Sequence, residues 1–274
     1  MTVKQITYSS PIDNLSYLDH FIFNIKLFVF VVFSIPLIFA VLLFGKLIPF
    51  LGKWLPVIFH KLLIWLLSIQ IDFEGEIDTS NNSNLYISNH LSYLDIPILG
   101  STFPLRFVAK SDIEVWPLFG FLAKLGRTIF ISRNRSESLD QKNKIFKSLS
   151  SDEKVFIFPE GTTSDGNRVL DFKSSSFSAL EGQNLIIQPI VIVYLDLNGI
   201  PINRWLRPII AWYGDMDLKP HLSKLASLRS IKARLIYLDK VNAKNFSSRK
   251  NLSKHLENEI KKVYSSALSK KLAK

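Results

Sequence analysis

Cysteine is absent from all 274 residues, which excludes disulfide bridges, thiolate zinc sites and a cysteine nucleophile. A cytosol-facing site agrees with that absence. No twin-arginine pattern or clean signal peptide opens the chain, and no internal repeat or low-complexity tract is visible. Acidic residues are few, 23 against 34 Lys and Arg, for a net charge of +11. Such an excess points to an anionic partner: a lipid surface, a phosphorylated substrate or nucleic acid. The positive charge is spread along the chain, not gathered into one stripe interleaved with aromatics, and this argues against nucleic acid. There is no Gly-x-Ser-x-Gly elbow around Ser92, so a serine hydrolase lacks its usual setting.

Long apolar runs are present. Residues 27–44, LFVFVVFSIPLIFAVLLF, carry no charge over 18 positions, the threshold length for a membrane-spanning helix. Pro36 sits inside the run and is expected to kink or break a helix there. Further apolar stretches, 47–51, 54–59 and 62–71, are interrupted by Lys53 and Lys61, with Trp54 and Trp65 suited to a membrane interface. Lys26 precedes the first run and Lys46, Lys53 and Lys61 follow it, so charge gives no orientation. A single span and a kinked hairpin lying in one leaflet both fit.

From Asp72 the chain changes character. A polar, turn-rich link leads into short apolar runs at 85–88, 107–109, 128–131, 155–158, 185–194, 208–212 and 231–238. Helix-like segments, 92–99, 113–124 and 137–149 among them, separate many of these. Such alternation predicts an α/β domain, a largely parallel central sheet flanked by helices, preceded by the apolar membrane-associating helical segment. The expected division is residues 1–70 for that segment, 71–245 for the α/β domain and 246–274 for a final amphipathic helix. In the last, Leu252, Leu256, Ile260, Val263 and Ala267 form one apolar stripe, expected to dock on the domain.

Sites in such sheets gather where strands end and helices begin. The sequence NHLSYLD, residues 89–95, follows the first of the apolar runs after the link. Ser92 and Asp95 have the spacing of a capping box, which puts His90 in the turn before a helix. On one continuous helix His90 and Asp95 would point about 140° apart, but across a turn they can meet. A His held by a carboxylate keeps its other ring nitrogen free to take a proton, the logic of a general base. The plainer alternative is a capping Asp95 and a polar turn residue at 90.

Three more strand ends carry polar residues: Ser132-Arg133-Asn134-Arg135, then Pro159-Glu160-Gly161-Thr162-Thr163, then Gln188-Pro189. Arginine can clamp a phosphate through paired hydrogen bonds, and Gly161 allows close approach of backbone to a ligand. Glu160 can accept from a substrate hydroxyl or hold the arginine. Taken singly, Arg133 also reads as a solvated loop charge, Gly161 as an ordinary turn residue and Glu160 as a helix cap.

The order and spacing of NHLSYLD, TIFISR, FPEGTTSDG and QPIVIV resemble the four motif blocks of the glycerolipid acyltransferases, of which the 1-acylglycerol-3-phosphate acyltransferases are the best known. The His-x4-Asp pair at His90 and Asp95 and the FPEG ending at Gly161 are the specific parts, with FVAK, Trp116-Pro117 and Phe172-Lys173 as further landmarks. The likeness covers roughly residues 70–215. It implies transfer of a fatty acyl group from a thioester, acyl-CoA or acyl carrier protein, to a lysolipid hydroxyl at the cytoplasmic membrane, without an acyl-enzyme, metal or cofactor. It implies His90 as base and Asp95 as its orienting group. Arg133, Glu160, Gly161 and Thr162 would line the acceptor's polar pocket, and Lys110 and Lys173 would add anionic contacts. Phosphatidate from lysophosphatidate is the leading expectation. Ser174-Ser175-Ser176 precede Phe177 where the family often has Gly then Ala, a departure, and the segment 161–173, with SDGNRVL, looks like the subgroup acting on lyso-ornithine lipid, the alternative acceptor.

Overall fold

The computed structural model describes residues 17–45, 47–77, 83–132, 138–151, 153–181 and 183–270. Helix α1 (Tyr17–Phe44) and helix α2 (Pro49–Leu66) come first and pack on each other, with Phe30 against Phe59. Then follow β1 (Ile69–Glu74), β2 (Ser83–Ser88), α3 (Asp95–Gly100), β3 (Arg106–Lys110), α4 (Ser111–Glu114), α5 (Phe119–Leu125) and β4 (Ile129–Ile131). The chain continues through α6 (Ser138–Ser150), β5 (Val155–Ile157), β6 (Ile186–Leu197), β7 (Ile200–Pro201), α7 (Arg207–Ile210), α8 (Leu218–Ala226), β8 (Ile231–Tyr237), β9 (Val241–Asn242) and α9 (Arg249–Lys270).

The strands form one sheet in the order β1-β8-β6-β2-β5-β3-β4, with β7 and β9 paired to β6. Strands β6, β2, β5, β3 and β4 are mutually parallel, whereas β8 runs antiparallel to β6 and carries β1 parallel to itself. The predicted α/β architecture with a largely parallel sheet is therefore present. Alternation along β2 and β5 feeds a separate core on each face. Tyr86 and Phe156 join Ile98, Leu99, Ile190 and Leu225 on one side. Leu85, Ile87, Val155 and Ile157 join Leu252, Leu256 and Ile260 of α9 on the other, so the final helix is docked.

Two local expectations are corrected, and of the third, a kink or a break at Pro36, the break does not occur. Residues 208–212 do not form a strand: Pro208 stands at the first turn of α7, where its fixed φ suits a helix start and its missing N–H costs nothing. The segment 113–124 is two short helices, broken at Val115–Leu118, where Pro117 disfavours helical backbone before it. Helix α1 runs on through Pro36, which removes one rung of the hydrogen-bond ladder without ending the helix. Residues 20–44 of α1 form a helix long and apolar enough to cross a bilayer; its most apolar 18-residue stretch has mean hydropathy 3.0, and only 6% of that stretch is buried within the protein.

Candidate active site

Because β2, β3, β4, β5 and β6 are parallel, their carboxyl ends share one edge of the sheet, and NHLSYLD and FPEG follow strands there; Gln188-Pro189, expected at a strand end, instead lies inside the sheet near the amino end of β6, which runs on to Leu197. After Ser88 the chain leaves β2 and Asn89 turns sideways. Its amide donates to the Ile192 carbonyl (3.0 Å) and accepts from the Ile192 N–H (2.9 Å), anchoring the turn to β6. The turn then brings His90 and Asp95 together: His90 Nδ1 lies 2.7 Å from Asp95 Oδ2.

Asp95 does not cap α3 in the usual sense, since its carboxylate reaches back. Oδ2 also accepts from the N–H groups of Leu91 (2.8 Å) and Ser92 (3.0 Å), and Oδ1 accepts from the Tyr194 hydroxyl (2.7 Å). The second of these is one half of the anticipated capping box; the Ser92 hydroxyl instead accepts from the Leu94 N–H at 3.3 Å. Asp95 is wholly buried, whereas the His90 side chain keeps 16% of its surface open. Its ring stacks on Phe158 with centroids 3.8 Å apart. Burial, then the neighbouring Asp95 charge, push the Tyr194 hydroxyl well above its ordinary range, so it remains a donor.

Glu160, at the end of β5, is 1% exposed. One carboxylate oxygen accepts from the His90 N–H and the other from the Leu170 N–H, each at 2.7 Å. Burial pushes its carboxyl up to about 8; the two N–H bonds oppose the shift and the Asp95 charge adds to it. The His90 carbonyl accepts from the Ser164 N–H at 2.9 Å. The FPEG segment thus grips the His90 turn from both sides.

Gly161 has φ +65°, and a Cβ there would stand 3.1 Å from Lys173 Nζ, so its bare backbone lets the lysine lie across it. Thr162 is exposed beside it, and Lys110 is half-buried at the end of β3. Arg133 lies outside the described residues. Among the described residues there is no cluster of three metal-ligating side chains.

A family model described as Acyltransferase matches residues 70–193. A lyso-ornithine lipid O-acyltransferase of Rhizobium meliloti is 36% identical over 224 residues, covering 79% of this chain and 76% of that protein. The chain belongs to the acyltransferase family. A 1-acyl-sn-glycerol-3-phosphate acyltransferase of Neisseria meningitidis is 28% identical over 183 residues, 66% of this chain and 69% of that one. Among solved structures, the 1-acyl-sn-glycerophosphate acyltransferase PlsC of Thermotoga maritima superposes with a TM-score of 0.64, covering 91% of this chain and 95% of its own at 19% identity, a likeness of fold.

Two partners within this acyltransferase escape sequence reading. Tyr194 lies 99 positions from Asp95 in a run read only as buried strand. The available signal is chemical: a tyrosine buried in a central strand needs a partner for its hydroxyl. Glu257 on α9, 4% exposed, accepts from the Phe172 N–H at 2.9 Å. It interrupts the helix's apolar neighbourhood, where a buried carboxylate needs donors.

Proposed function

We propose that the chain is a lysolipid O-acyltransferase that moves a fatty acyl group from acyl-CoA or acyl carrier protein to a hydroxyl of lyso-ornithine lipid, with His90 as general base. The observation that carries the mechanism is the 2.7 Å pairing of His90 Nδ1 with a wholly buried Asp95. With Nδ1 donating to the carboxylate, Nε2 is the acceptor; this tautomer is assigned from the hydrogen-bond pattern. As Nε2 takes the hydroxyl proton, the oxygen attacks the thioester carbonyl. The tetrahedral intermediate collapses with cleavage of the carbon–sulfur bond, and the imidazolium returns the proton to the departing sulfur. Asp95 stabilises the imidazolium between the two steps. A thiolate leaves readily, so this route calls for no nucleophilic side chain and no metal.

The Rhizobium meliloti relative supports lyso-ornithine lipid as acceptor. The ornithine headgroup carries both a carboxylate and an ammonium. Lys173 across Gly161, with Arg133, Lys110 and Thr162, supplies groups for the anionic part in this reading. A second reading, lysophosphatidate to phosphatidate, is supported by the Neisseria meningitidis relative and the same basic residues. Helix α1 supports a membrane location, with the site on the cytoplasmic side as part of the proposal.

The test supplies labelled acyl donor and either lysolipid to membranes carrying wild-type protein or His90→Ala. Label is expected in ornithine lipid only where His90 is intact. Label in phosphatidate alone would keep the chemistry and change the acceptor; no His90-dependent transfer to either would overturn the proposal.

A further inference from the structure

Between α4 and α5 the sequence Val-Trp-Pro-Leu-Phe-Gly-Phe, residues 115–121, presents apolar side chains to the outside. Val115 is 81% exposed, Leu118 63% and Phe121 45%. Adjacent apolar groups left this open in a short segment are unlike the scattered exposed residues of an ordinary surface. The backbone is strained to hold them there. Leu118 has φ +63° and ψ −55°, and the Phe119 N–H donates across it to the Pro117 carbonyl at 2.7 Å, a γ-turn of the rare positive-φ kind. Gly120 closes the bend, since a Cβ there would overlap the Glu114 carbonyl oxygen.

The position of this segment bears on what covers it. It follows β3 at the same carboxyl edge that carries His90. Trp116 meets Trp212 edge-on at 6.2 Å, Trp212 meets Tyr93 at 6.0 Å, and the backbone N–H of Trp212 donates to the Leu91 carbonyl at 2.9 Å. A row of aromatics therefore joins the protruding bend to the His90 turn. On its other side α5 contacts α1, whose apolar residues are exposed or only partly covered by α2, so the two apolar surfaces adjoin.

We propose that residues 115–121 form a second lipid-contacting element, which enters the bilayer beside α1 and holds the His90 edge of the sheet against the membrane. Leu118 and Val115 are the inserting side chains, and Trp116 sits at the interfacial level that suits indole rings. The inference rests on α1 lying in the membrane and is independent of which lysolipid is acylated.

The natural absence of cysteine makes the test direct. Single cysteines at Val115→Cys, Leu118→Cys and, as reference, Lys147→Cys are each given an environment-sensitive fluorophore in the full chain, then reconstituted in phosphatidylglycerol–phosphatidylcholine vesicles. Lys147 is exposed near the end of α6, which leads to the amino end of β5 and so to the opposite sheet edge. The expected result is loss of iodide quenching, a blue shift and quenching by nitroxide-bearing lipid at 115 and 118, with none of these at 147. Iodide quenching at 115 and 118 equal to that at 147 overturns the proposal. Protection from iodide without quenching by nitroxide lipid also overturns it, because a protein surface, such as a second copy, would then be the cover. The readout needs no acyl transfer, so it fails or succeeds separately from the catalytic proposal.

Discussion

Asp95 has four donors around one carboxylate, and their distribution separates its structural role from its chemical one. Three converge on Oδ2 and one, the Tyr194 hydroxyl, on Oδ1. An asparagine can keep this arrangement by turning its carbonyl to the Oδ2 position and its amide toward the Tyr194 oxygen. The turn should then persist while the negative charge that stabilises the imidazolium is lost. Asp95→Asn is expected to fold with little change in denaturation midpoint and to lose roughly 10²–10⁴-fold in kcat. Full turnover in that variant would reduce Asp95 to a turn-former. Tyr194→Phe should behave the other way. It removes a buried charge-assisted bond, about 1.5–3 kcal/mol of stability by urea denaturation, while reducing kcat less than Asp95→Asn does.

Helix α9 packs its apolar stripe on the sheet, but its polar residues act on the segment that follows FPEG. Glu257 holds the Phe172 N–H, Lys261 bridges Glu257 and Asp171, and the Tyr264 hydroxyl donates to the Gly166 carbonyl. Burial works against ionisation of Glu257, but Lys254, Lys261 and the Phe172 N–H outweigh it and hold the carboxyl down at about 2. Glu257→Ala leaves a buried N–H without its acceptor, a loss of about 1–3 kcal/mol in urea denaturation. Because this segment carries Lys173 beside Gly161, the variant should raise KM for the lysolipid more than it lowers kcat, and Glu257→Gln should recover part of both. An unchanged KM in Glu257→Ala would confine the clamp to stability. Here the reach of sequence reading is plain. The stripe Leu252, Leu256, Ile260 is a local pattern, and its docking follows from periodicity. What Glu257 touches is set 85 positions away by the topology of the sheet, which no local pattern encodes. The same holds for Tyr194 with Asp95, whereas His90 and Asp95, five apart across one turn, could be paired from their spacing. The misread segment 208–212 failed for a local reason: an apolar run with a proline at its head suits a helix start as well as a strand.

Across the whole molecule, buried carboxylates pull the pH dependence of stability in opposite directions. Glu257, held down at about 2, contributes stability that is complete above its ordinary 4.5 and is lost as pH falls through about 2. Glu160, pushed up to about 8, does the reverse. Its folded state retains a proton that the unfolded chain has released above 4.5, so its contribution is complete below that pH and declines as pH rises through about 8. Between those values folding must return a proton to a carboxylate that the unfolded chain has released, and only above about 8 is the charge itself held in a site 1% exposed, directly under the His90 turn. Replacement by glutamine removes the titration but keeps the volume, and its carbonyl can still accept one of the two N–H bonds. Denaturation midpoints of wild-type protein and Glu160→Gln, followed from pH 4.5 to 9 in one detergent, should therefore draw together or cross as pH rises, the wild type losing its advantage toward pH 8. A difference that stayed flat, or grew in favour of wild type, would mean that Glu160 is ionised throughout. The two backbone donors would then outweigh burial, and the grip of FPEG on the His90 turn would be that of a carboxylate across the whole working range.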